Sequence, residues 1–122
     1  MIRDVTDLEV YRLSLNLIPR VYSLVRKLPK SENDIGGQIK RSAKSVPPNI
    51  AEGFAKRSSD KEFKRFLKIA IASSDETISH LRTMAIVCPR LLDEAKKLGG
   101  DYKILSKRIN KLQSVWRSDE CF

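Results

Sequence analysis

The sequence predicts an all-α fold: an antiparallel, up-down-up-down four-helix bundle with a Pro-Pro kink in its second helix. Three observations carry this. Four runs of the chain place apolar residues three and four apart, which lines one side of a helix. No stretch alternates apolar and polar residues as a half-buried strand would. The connections between the runs are short, which forces consecutive helices to run antiparallel.

The first helix is predicted over about residues 7–27. Leu8, Tyr11, Leu15, Ile18, Tyr22 and Val25 form its core seam, and Thr6 or Asp7 can cap its start. Pro19 has no amide hydrogen for the Leu15 carbonyl and crowds that turn, so a bend is expected there. The stretch Pro29-Lys30-Ser31 ends the segment. The second helix is predicted over about 34–56 on Ile35, Ile39, Ala43, Val46, Ile50 and Phe54. Gly36 and Gly37 weaken its first turn by up to about 1 kcal/mol each relative to Ala. The apolar phase survives across Pro47-Pro48, which favours a kink over a stop and restart.

The third helix, about 60–88, opens on a capping box, Ser59 with Glu62, and Asp60 suits the positive end of the helix dipole. Its seam is Phe63, Leu67, Ala70, Ser74, Thr77, Leu81, Met84 and Cys88, small and partly polar at the middle, which permits close helix approach. Pro89 closes it. The fourth helix, about 91–117, carries Leu91, Ala95, Leu98, Tyr102, Leu105, Ile109, Leu112 and Trp116 without a slip of phase. A loop at Gly99-Gly100 would shift that phase, so one helix is expected through the pair. Seams repeating near 3.5 residues imply left-handed packing. The 122 residues suit one domain, 1–122, with an ordered core of about 7–117 and a fraying tail from Ser118 to Phe122.

Composition narrows the function. Apolar residues make up 41% and charged residues 32%, which suits a globular domain and excludes a disordered chain. No run approaches the roughly 20 apolar residues of a membrane span. Asp4 stands where a signal peptide would begin its apolar stretch, so a cytoplasmic protein is expected. Cys88 and Cys121 make neither a disulfide framework nor a metal motif, and Cys88 reads as a buried small apolar residue.

No catalytic group is evident. His80 is the one histidine, four residues after Glu76, and the further ligands of a di-iron bundle are missing. The glycine pairs lack the spacing of a phosphate loop. No enzyme, metal, cofactor or small-molecule substrate is therefore expected. The net charge is +9, from 24 Lys+Arg against 15 Asp+Glu, which favours polyanions such as RNA or DNA. Three basic groups are the candidate phosphate contacts: Lys40, Arg41 and Lys44; Lys61, Lys64, Arg65 and Lys68; and Lys103, Lys107, Arg108 and Lys111. Any one of these also suits the solvated outer face of a bundle. Base stacking gains no support, because Tyr11, Tyr22, Phe63 and Trp116 all fall on apolar seams.

The segment Val46-Pro47-Pro48-Asn49-Ile50-Ala51-Glu52-Gly53-Phe54 resembles the S-I-P-x-N-I-A-E-G signature of the four-helix bundle proteins encoded in intervening sequences of bacterial large-subunit ribosomal RNA genes. Asp7-Leu8-Glu9-Val10, Val21-Tyr22-Ser23-Leu24, Gln38 to Ala43 and Lys61 to Ala70 resemble further stretches of that family, so the likeness covers about residues 7–85. Pro19, Gly36-Gly37 and the link from Cys88 to Gly100 depart from its usual pattern. The family is similar in fold to the accessory variability protein of diversity-generating retroelements, which is a ring of five working with reverse transcriptase and RNA. The resemblance thus implies a homopentamer, but no settled activity. Within the signature, Asn49 and Glu52 suit bonding to backbone freed by Pro47 and Pro48, and Gly53 suits close approach of another helix.

The expected function is a non-catalytic, oligomeric RNA- or DNA-binding accessory protein, with a protein-binding scaffold as the alternative. For assembly, a second apolar stripe on helix one, Val10, Leu13, Leu17, Val21, Leu24 and Leu28, is expected to contribute to a subunit interface with Ile71, Ile78 and Ala85 of helix three, the alternative being that it widens the core face.

Overall fold

A computed structural model describes residues 2–117; the expectations for Cys121 and for the tail from Ser118 lie outside those residues. Four helical rods form the bundle, and no strand occurs among the described residues. The first rod is two helices, α1 (Glu9–Asn16) and α2 (Ile18–Val25), followed by α3 (Asn33–Ala55), α4 (Asp60–Val87) and α5 (Leu92–Val115). Three-residue 3₁₀ turns precede α1, α3 and α5. The first rod packs on α3 and α5, and α4 packs on the same two, so the rods stand at the corners of a square. One end of the bundle gathers the end of α3, the start of α4 and the residue after α5: the rings of Phe63 and Trp116 meet edge-on at 4.6 Å, with Phe54 6.4 Å from Phe63. That is the antiparallel arrangement the short connections require.

The bend expected at Pro19 is a break, with Pro19 in the first turn of α2 and Leu17 between the helices. α3 is one helix through Pro47 and Pro48, and a kink at the pair is not shown. α5 is one helix through Gly99-Gly100, as the uninterrupted phase requires. The capping box at α4 is half made. The Ser59 hydroxyl accepts from the Glu62 amide at 3.2 Å, but the Glu62 carboxylate accepts from Arg65 instead. That hydrogen bond holds the Glu62 carboxyl below its usual range.

The seams of α3 and α4 are buried throughout, and that of α5 is buried from Leu91 to Ile109. The first rod reverses the expected assignment. Val10, Leu17, Val21 and Leu24 are buried in the chain's own core, with Leu8 and Ser14, while Leu15 is 44% exposed and Tyr11, Ile18, Tyr22 and Val25 are only half-buried. The buried set steps 10, 14, 17, 21, 24, a heptad hidden in the sequence because its second member is serine. The Ser14 hydroxyl donates to the Tyr11 carbonyl at 2.7 Å, which satisfies it within its own helix. Val10, Leu17, Val21 and Leu24 are therefore no subunit interface. Ile71 and Ile78 are half-buried, packed against the same core.

The small, polar middle of α4 is fully bonded to its neighbours. Ser42 and Thr77 share a hydrogen bond of 2.8 Å between α3 and α4, and Ser45 bonds Ser73 beside them. Toward α5, the Ser74 hydroxyl lies 3.1 Å from the Tyr102 carbonyl, and the Ser106 hydroxyl, with one proton to give, lies 2.7 Å from both Ser74 and Asp75. The Tyr102 hydroxyl is the exception: fully buried, it has no partner among the described residues, and burial pushes its pKa up. An unbonded buried hydroxyl costs about 1–3 kcal/mol. Tyr102→Phe is therefore expected to raise stability by about 1 kcal/mol, read as a higher urea midpoint at unchanged slope. An equal or lower midpoint would show that the hydroxyl is satisfied in solution.

Candidate nucleic-acid interface

Three ion pairs fasten the first rod to α5: Arg108 with Glu9 at 2.9 Å, Arg20 with Asp101, and Lys27 with Glu94 at 2.7 Å. They place these three carboxylates along one edge of the bundle, beside an adjoining basic face. That face lies between α4 and α5. Its orientation is fixed where Ser106 of α5 reaches Asp75 of α4. Lys68 and Arg82 lie seven residues either side of Asp75, and Lys64 four before Lys68, so all three share its side of α4. Lys96, Lys103 and Lys107 follow one another by seven and four along α5, and Arg82, Lys96 and Lys103 line one groove. None of these six cations has an ion-pair partner among the described residues. Asp75, the carboxylate among them, is engaged by Ser106.

The expected basic groups thus separate. Lys64, Lys68, Lys103 and Lys107 come together on the α4–α5 face, with Lys61 and Lys111 exposed on the same helices. Arg65 is taken by Glu62 at 3.1 Å and Arg108 by Glu9, so neither is a free cation. Lys40, Arg41 and Lys44 lie elsewhere. The Lys40 and Lys44 ammonium groups hang over the Tyr22 ring of α2, 5.2 and 5.9 Å from its centroid. This is the face between the first rod and α3, across the square from α4–α5. One chain cannot lay all three groups on one straight strand. Arg82 and Lys96 were not among the expected contacts, although the seven-residue spacings 68-75-82 and 96-103 are readable in the sequence.

The signature segment is structural in its contacts. Gly53 is buried at the crossing of α3 and α4, where an added Cβ would stand 2.8 Å from the Phe66 Cβ. Asn49 Nδ2 donates to the Ser45 carbonyl at 2.8 Å, one turn back in the proline-containing stretch. Glu52 does not bond the backbone as expected; it faces Lys56 at 3.5 Å. Pro47 and Ile50 are buried, and Ala51 is half-buried. His80 lies 3.1 Å from Glu76 on the same helix. Among the described residues no three His, Cys, Asp or Glu side chains converge on a metal position, and no helix is long and apolar enough to cross a membrane.

Comparison with curated proteins finds no match for this chain. One family model, that of the 23S rRNA-intervening sequence proteins, matches residues 6–111, most of the chain, and the chain belongs to that family.

Proposed function

We propose that the protein is a non-catalytic RNA-binding accessory protein whose α4–α5 face takes the phosphate backbone. One observation carries the reading: Lys64, Lys68, Arg82, Lys96, Lys103 and Lys107 share a face, and no carboxylate pairs with any of them among the described residues. Rows of unpaired cations along two neighbouring helices can neutralise several phosphates at once without reading bases. In a homo-oligomeric ring, which the family resemblance implies, the face would be repeated and weak contacts multiplied. Such a ring must close through surfaces other than the buried stripe of the first rod.

Filter binding of a structured RNA across a salt series tests this. Affinity is expected to fall steeply with salt, and replacing Lys64, Lys68 and Lys107 together by Gln is expected to reduce the log–log slope by about 2–3. The same change at Lys40, Arg41 and Lys44, on the opposite face, should move it less. No binding at low salt would favour the protein-binding scaffold, and equal effects of the two triple variants would remove the α4–α5 face from the account.

A further inference from the structure

The α4–α5 face changes character along its length. Toward the end where α4 gives way to α5, an open groove of ≈ 650 Å³ runs between the helices. Its floor includes Leu81, and its apolar walls include Ile78, Ile86 and Leu92. Ile86 is 79% exposed and Leu92 49%, a large apolar exposure for a chain of this charge. Gly99 and Gly100 keep the α5 wall low; a Cβ at Gly100 would meet nothing within 4 Å. Arg82, Lys96 and Lys103 stand on the rim, and no carboxylate lines the groove.

We propose that this groove docks an acidic amphipathic helix of a partner protein, its apolar ridge seated between α4 and α5 and its carboxylates against Arg82, Lys96 and Lys103. Shape supports a helix. The α5 wall from Leu92 to Lys103 extends about 16 Å, roughly three helical turns, and an apolar trough of that length accepts anchors at i, i+3 or i+4, and i+7. The glycines let the incoming backbone come close. Chemistry selects against RNA here, because a phosphate backbone covers no apolar side chains. Charge selects against the same face of a second copy and against its opposite face: the rim is cationic, and the opposite face presents Lys40, Arg41 and Lys44, so either pairing sets like charges together. Arg82, Lys96 and Lys103 also belong to the RNA reading, whereas the apolar walls and the low glycine wall do not, so substitutions at Ile86 and Gly100 test this proposal apart from that one.

The probe is a displayed library of helices about 18 residues long, apolar at i, i+3, i+4 and i+7, with all other positions drawn from Glu, Lys and Ser. Selection on the full chain is expected to enrich Glu over Lys beside the apolar ridge. In fluorescence anisotropy, Ile86→Glu and Gly100→Leu should each weaken the best selected peptide by about tenfold or more. Both substitutions fall on exposed positions of continuous helices, and Gly100→Leu replaces a poor helix former, so far-UV circular dichroism and melting should be retained. A library that yields no binders, shows no Glu preference, or yields peptides indifferent to both substitutions overturns the proposal. So does an oligomer that Ile86→Glu dissociates, which would give the groove to a second copy, or an RNA affinity that falls with Gly100→Leu as far as the peptide's does.

Discussion

Gly53→Leu should abolish cooperative folding, and Gly53→Ala should lower stability although alanine is the better helix former. Gly53 marks the closest approach of α3 and α4. A Cβ there would stand 2.8 Å from the Phe66 Cβ, 3.1 Å from the Phe63 Cδ1 and 3.2 Å from the Phe63 carbonyl oxygen. Two of those atoms are backbone or bonded directly to it, so they cannot swing away as the tip of a long side chain can. Relief requires the helices to part, which opens contacts along the Phe54–Phe63 cluster and the Ser42–Thr77 bond. Alanine gains about 1 kcal/mol of helix propensity, and overpacking of this kind costs about 1–3 kcal/mol, so the net effect is a loss. Leucine adds three further carbons at the same point, and its cost should approach the whole stability of a small domain, about 5–15 kcal/mol. Urea unfolding followed by circular dichroism reads both. Gly37→Ala is the control: nothing lies within 4 Å of its Cβ position, so it should stabilise by up to about 1 kcal/mol. A Gly53→Ala variant at or above the parent's midpoint would contradict the packing described.

The contrast between Gly53 and Gly37 also shows what could be read in advance. The seams of α3, α4 and α5 were legible because each helix carries one dominant apolar row. The first rod was not, because it carries two. Leu8, Tyr11, Leu15, Ile18, Tyr22 and Val25 form one row, and Val10, Ser14, Leu17, Val21 and Leu24 the other. Counting apolar residues favours the first, since Ser14 interrupts the second. Yet the first contains two tyrosines, whose hydroxyls suit a boundary with water, and one of their rings serves as a platform for Lys40 and Lys44. The break at Leu17 could be placed from Pro19, but not the phase of the two halves against the core. The basic stripes were legible helix by helix, whereas the side of the bundle each stripe faces depends on topology. Arg82 and Lys96 escaped notice because neither has another basic residue three or four positions away on its own side of the helix, and only the pairing of α4 with α5 brings them together.

The reassigned stripe gives the sharpest test of the first rod. Val21→Glu should unfold the chain and not merely separate subunits. Val21 is 0% exposed within a single chain, facing the core that Ile39, Ala43 and Leu98 also fill. An ionised carboxylate there would lack both water and a partner. The alternatives are to bury the charge, at several kcal/mol, or to protonate the carboxyl, and either consumes much of a stability of about 5–15 kcal/mol. The direction with pH follows. Burial raises the folded-state pKa of the introduced carboxyl above its unfolded value of about 4.3. Below about 4.3 both states hold the proton, and the substitution costs only shape and the polar group. As pH rises from there toward the folded-state pKa, the unfolded state releases its proton first, and the cost grows by about 1.4 kcal/mol per pH unit. The variant should therefore regain helical signal on acidification to about pH 4, relative to the parent under the same conditions. An interface position behaves otherwise: helical content would hold at pH 7, and light scattering would show a smaller particle. Retained folding with a lower mass would return the stripe to the subunit contact that the sequence first suggested.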